Sequence, residues 1–62
     1  MTEFSAAEKW NSILRELKYR KRVYPRWVAE GKMTDGFAAV QIEVMEAIAS
    51  DYERLAANER LV

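Results

Sequence analysis

Sixty-two residues, with ten Lys and Arg against ten Asp and Glu and with neither Cys nor His, make one small domain of zero formal charge. The missing Cys excludes disulfides, thiolate nucleophiles and Cys-based zinc sites, and the missing His removes the commonest general base and transition-metal ligand. Half the residues are hydrophobic, which is not the composition of a disordered chain.

No apolar run approaches the roughly 20 residues of a membrane span and no signal peptide opens the chain, so a soluble cytoplasmic protein is expected. A chain this short buries only about 60% of its unfolded surface. Without disulfides or a metal, its stability must come from helix packing and association.

Ser5-Ala6-Ala7-Glu8 reads as a capping box that opens a helix over about residues 5–30. Trp10, Leu14, Leu17, Tyr24 and Val28 recur at helical spacing, and Ile13 and Ala7 complete an apolar stripe about 120° wide. Pro25 interrupts the amide ladder, yet Tyr24 and Val28 stay in phase with Trp10 only if the helix continues. The expectation is one long helix kinked at Pro25. Lys21 falls inside the stripe, either as a snorkelling stem or as a polar position that fixes register.

Gly31 then suits a left-handed cap, with Met33 as its hydrophobic contact. Thr34 and Asp35 start a second helix, over about 35–59, after a turn at 31–34. Its apolar set is Phe37, Val40, Val44, Met45, Ile48, Tyr52 and Leu55, extended by Ala38, Ile42, Ala49 and Ala56. These positions cover roughly 200°, more than one neighbouring helix can bury.

A connection of about four residues folds the two helices into an antiparallel hairpin. Positions that sum to about 65 then pair, which sets Val28 beside Phe37, Leu17 beside Ile48 and Trp10 beside Leu55. The fold class is therefore all-α: a hairpin with a Pro25 kink, dimerising into a four-helix bundle. Ile42, Met45, Ala49 and Tyr52 are the candidate self-association residues.

Charge is segregated. Residues 15–26 carry +5 and residues 37–62 carry −3. Arg15, Lys18, Arg22 and Arg26 share one ridge, where like charges four apart repel by a few tenths of a kcal/mol. One reading is a phosphate-binding ridge with Tyr19 or Trp27 stacking on bases. The other is a solvated or internally paired face, with Lys18 level with Glu46 and Arg22 level with Glu43. Zero net charge gives no long-range steering toward nucleic acid. A membrane-surface role would consume the apolar stripe that the hairpin needs. Trp27 and Val23 form a second small apolar strip, either an interface anchor or packing beneath the proline.

No catalytic or cofactor site is expected. Glu43 and Glu46 lack the His of a di-metal bundle, and Ser5, Ser12 and Ser50 lack a His for a hydrolytic triad. Gly31 and Gly36 form no phosphate loop. The expected class is a non-catalytic protein that acts by protein–protein interaction and self-association. The alternative is a small nucleic-acid-binding accessory protein using the basic ridge.

The stretch Arg22-Val23-Tyr24-Pro25-Arg26-Trp27-Val28-Ala29-Glu30-Gly31-Lys32-Met33-Thr34, with Gln41-Ile42-Glu43-Val44-Met45-Glu46-Ala47-Ile48 and Asp51-Tyr52, resembles a group of small uncharacterised phage and prophage helical proteins. The similarity covers roughly residues 14–53, and Tyr-Pro-Arg-Trp with Gly-Lys-Met-Thr is its specific part. Members usually carry acidic residues or Gln after the Thr, where this chain has Asp35-Gly36-Phe37. The resemblance implies an accessory protein of a bacterial virus or integrated element, and it implies no activity, ligand or site residue.

Overall fold

The computed structural model describes residues 3–60, and among them the chain forms two helices, α1 (Ala6–Ala29) and α2 (Asp35–Arg60), and no strand. The helices pack side by side as an antiparallel hairpin measuring 47 × 22 × 17 Å.

Each helix end follows from its local sequence. The Ser5 hydroxyl accepts the Glu8 amide at 3.1 Å and the Glu8 carboxylate accepts the Ser5 amide at 3.2 Å, which completes the expected capping box. α1 runs unbroken through Pro25, so the apolar phase does carry across the proline. Pro25 and Lys21 are exposed at the edge of the seam, where water can reach the Lys21 carbonyl that the proline leaves without an amide.

Gly31 adopts φ 77°, and the amides of Gly31 and Lys32 donate to the carbonyls of Val28 at 3.0 Å and Trp27 at 2.9 Å. This pair of bonds is a Schellman cap. Its C″ position is Lys32, so Met33 falls one residue beyond the place expected for the hydrophobic contact. Thr34 caps α2 by accepting the Phe37 amide at 3.1 Å.

The register agrees with the sequence expectation. The Ala6 amide donates to both carboxylate oxygens of Glu59, at 3.1 and 2.9 Å, and the Lys21 ammonium meets Glu46 at 3.3 Å. Paired positions thus sum to between 65 and 67. Glu59 closes the open end of the hairpin by capping the first amide of α1, where the helix dipole favours an anion.

The faces that meet are not the expected ones. The buried residues are Ala6, Leu17, Val23, Ala38, Ala49 and Ala56, so alanine supplies four of the six. On α2, Ala38, Ile42, Met45, Ala49, Tyr52 and Ala56 recur at three- and four-residue steps and are buried or half-buried. On α1 the inward set is Ala6, Trp10, Ile13, Leu17, Tyr24 and Val28, with Arg20 and Trp27 at its edge. Leu14 and Ala7, expected inside, are exposed. The inward face of α1 is therefore rotated by about 40° from the expected stripe.

The reason is complementarity of size. In the observed register the three α2 alanines stand level with large α1 residues: Ala56 with Trp10, Ala49 with Leu17 and Ala38 with Val28. Facing large against small lets the axes approach without voids. The expected partners Phe37 and Leu55 would set bulk against bulk, and both remain about half exposed.

Two substitutions test this account of the helix ends. Glu59→Ala removes the cap on Ala6 and is expected to cost about 1 kcal/mol, lowering Tm by about 4–8 °C at fixed protein concentration. Gly36→Ala places a methyl in open space at a negative-φ helical position. It is expected to raise Tm, by up to about 1 kcal/mol of added stability.

Candidate functional site

Two surfaces stand out on the hairpin, a basic ridge on α1 and an apolar stripe on α2. The ridge residues Arg15, Lys18, Arg22 and Arg26 are all exposed. Their helical phase places them on the side of α1 turned away from α2. The expected cross-hairpin pairs Lys18–Glu46 and Arg22–Glu43 do not form, because rotation of α1 turns the ridge away from the acids. Glu46 is taken by Lys21 and Glu16 by Arg20, the latter at 3.0 Å. Among the described residues no ridge cation joins a salt bridge. Arg15 donates to the Ser12 hydroxyl at 3.2 Å, and the Arg22 guanidinium lies 5.6 Å from the Tyr19 ring centre.

Lys21 is exposed rather than inside the apolar face. Rotation of α1 moves it to the edge of the seam, where its half-exposed ammonium reaches the half-exposed Glu46.

The aromatic candidates are engaged within α1. Trp27 is half-buried, with its ring 5.6 Å from Tyr24 and 6.5 Å from Tyr19 in an edge-on pair. Val23 lies between Tyr19 and Trp27 on one helical row and is buried to 7% exposure. The strip expected at Val23 and Trp27 thus packs with Tyr19 and Tyr24 along α1, on the side of the helix away from Pro25.

The self-association candidates Ile42, Met45 and Tyr52 are half-buried and Ala49 is buried. All four belong to the seam with α1. Ile42 borders a groove with Lys21, Tyr24 and Pro25, and the Lys9 ammonium lies 5.7 Å from the Tyr52 ring centre. The α2 surface left open is instead Phe37, Val40, Val44 and Leu55, exposed at 56, 52, 45 and 47%. With half-buried Ile48 these form a second stripe, rotated by about 100° from the seam.

The two broad sides of the hairpin consequently differ. One carries the groove with Lys21, Pro25, Glu43 and Glu46. The other carries the α2 stripe and, at the open end, a groove bordered by Phe4, Lys9, Tyr52 and Leu55. A cue to this division lay in the sequence, in the alanines at 38, 49 and 56, which mark where a neighbour comes close.

Among the described residues no three acidic side chains converge as metal ligands, and no helix is long and apolar enough to cross a membrane. Compared with protein-family models, curated proteins and solved structures, the chain matches none.

The ion-pair assignments have a direct check in double-mutant cycles with alanine. Lys21 with Glu46 is expected to give a coupling of about 0.5 kcal/mol, the scale of an exposed pair, and Lys18 with Glu46 none above error.

Proposed function

We propose that this chain is a non-catalytic helical-hairpin protein that self-associates through the second stripe of α2 and acts through protein–protein contact. The resemblance of its central segment to small phage and prophage proteins supports an accessory role in a bacterial virus or integrated element. The observation that carries the reading is the exposed run of Phe37, Val40, Val44 and Leu55 on one side of the hairpin.

Surface area supports a second copy as the occupant. A compact monomer of 7.2 kDa exposes about 4,100 Å². The hairpin exposes 4,924 Å². The excess of about 800 Å² equals the share that one partner contributes to a standard protein interface. The stripe is also self-complementary about its midpoint near residue 46. With two α2 helices antiparallel, Phe37 of one copy stands level with Leu55 of the other and Val44 with Ile48. A two-fold contact of this kind closes into a four-helix bundle and leaves no further apolar stripe of α2 open.

Sedimentation equilibrium at micromolar concentration is expected to give about twice the chain mass, and Tm is expected to rise with protein concentration. Val44→Glu places a charge at the centre of the contact and is expected to yield monomers with a lower Tm. A wild-type protein that stays monomeric, with a concentration-independent Tm, would overturn the reading.

A further inference from the structure

We infer that the outer ridge of α1 binds the phosphate backbone of a nucleic-acid duplex without reading its bases. The inference stands on the placement of Arg15, Lys18, Arg22 and Arg26. It does not depend on self-association, because the ridge lies away from both the seam and the second stripe of α2.

Four observations carry it. The four cations are exposed, and they follow one helical row for about 16 Å, so neighbouring charges lie about 5–6 Å apart along the axis. No described acid pairs with any of them: Glu16 is held by Arg20, Glu46 by Lys21, Asp51 by Arg54 and Glu30 by Lys32. Between Asn11 and Ala29 the one acid of α1 is Glu16, which projects from a different side of the helix. Lys18 with Arg22, and Arg22 with Arg26, repel at four-residue spacing. The repulsion weakens the isolated helix, and among the described residues no carboxylate neutralises the ridge.

A polyanion does offset it. A straight row of guanidinium and ammonium groups neutralises phosphates and releases their counterions. Three arginines in four positions also suit bidentate phosphate contacts. The duplex is favoured over a single strand because base stacking needs free aromatic faces. Trp27 is packed between Tyr24 and Tyr19, and Tyr19 carries Arg22 beside its ring. Tyr19, the aromatic beside the ridge, is 43% exposed but has Arg22 over its ring, so the ridge offers mainly charge and hydrogen bonds, a composition that positions a protein on nucleic acid without specifying sequence.

The test is fluorescence anisotropy of the full chain with two labelled 20-base-pair DNA duplexes of unrelated sequence, from 25 to 200 mM salt. Equal binding of both duplexes is expected, with a slope of log K against log salt of about −3.6 per engaged ridge. The double variant R22Q/R26Q is expected to lose about half that slope and to bind at least about tenfold more weakly at 50 mM salt. Its helical circular dichroism should be retained, because the substitutions relieve repulsion. The control R54Q/R60Q, on α2, should bind as wild type. Absence of duplex binding at 25 mM salt would overturn the inference, as would binding insensitive to R22Q/R26Q. Tighter binding to a single strand than to the duplex, or binding to anionic vesicles but not to DNA, overturns it equally. Because Val44→Glu leaves the ridge intact, loss of self-association and loss of DNA binding are separately readable.

Discussion

The close approach of α2 to α1 at Ala38, Ala49 and Ala56 governs the rest of the molecule. An alanine methyl buries little apolar surface by itself, but it leaves room for the Trp10, Leu17 and Val28 side chains that stand level with it on the other helix. Once those three positions face inward, the helical period decides every other residue of α2. Ile42, Met45 and Tyr52 are drawn to the seam, and Phe37, Val40, Val44 and Leu55 are turned out. The same rotation acts on α1, where it exposes Leu14, sets Lys21 at the seam edge and carries the arginine row to the outside. Shape complementarity at a few small residues thus decides where the hydrophobic and charged surfaces lie.

Much of this architecture is legible in the residues themselves, because helix ends are local chemistry. Ser5 with Glu8, Gly31, and Thr34 with Asp35 mark boundaries that the structure meets to within a residue. Continuity through Pro25 is legible too, since Tyr24 and Val28 keep phase with Trp10. The register follows from the short turn and the matched helix lengths. The choice between the two apolar faces of α2 is not legible by counting hydrophobic residues. By size alone, Phe37, Val44 and Leu55 outrank Ala38, Ala49 and Ala56. The winning face is set by what stands opposite, a pairwise property that appears only once the helices are laid side by side. The same holds for the ridge: Lys18 and Glu46 share a level in the register, but an error of about 40° in helix phase is enough to separate them.

The charge balance of the chain acquires a geometry. Its net charge is zero, yet among the described residues a single cation of α1, Lys21, pairs with an acid of α2. Three of the four salt bridges among the described residues join positions within four residues of each other, and Lys21–Glu46 alone crosses between helices. Electrostatics therefore contributes little to holding the helices together, and packing carries that role. The charged side chains are left available for contacts outside the hairpin.

Glu59 shows how such a thin structure still couples its parts. An anion in the last turn of α2 lies at the negative end of that helix's own dipole and disfavours it in isolation. Docked against α1, the same carboxylate meets the positive end of the other dipole and receives the Ala6 amide. One side chain thus raises the free energy of the separate helix and lowers that of the hairpin. The bond ties the first turn of α1 to the last turn of α2, 53 residues apart. The open end of the hairpin is thereby closed by a contact between its two most distant turns.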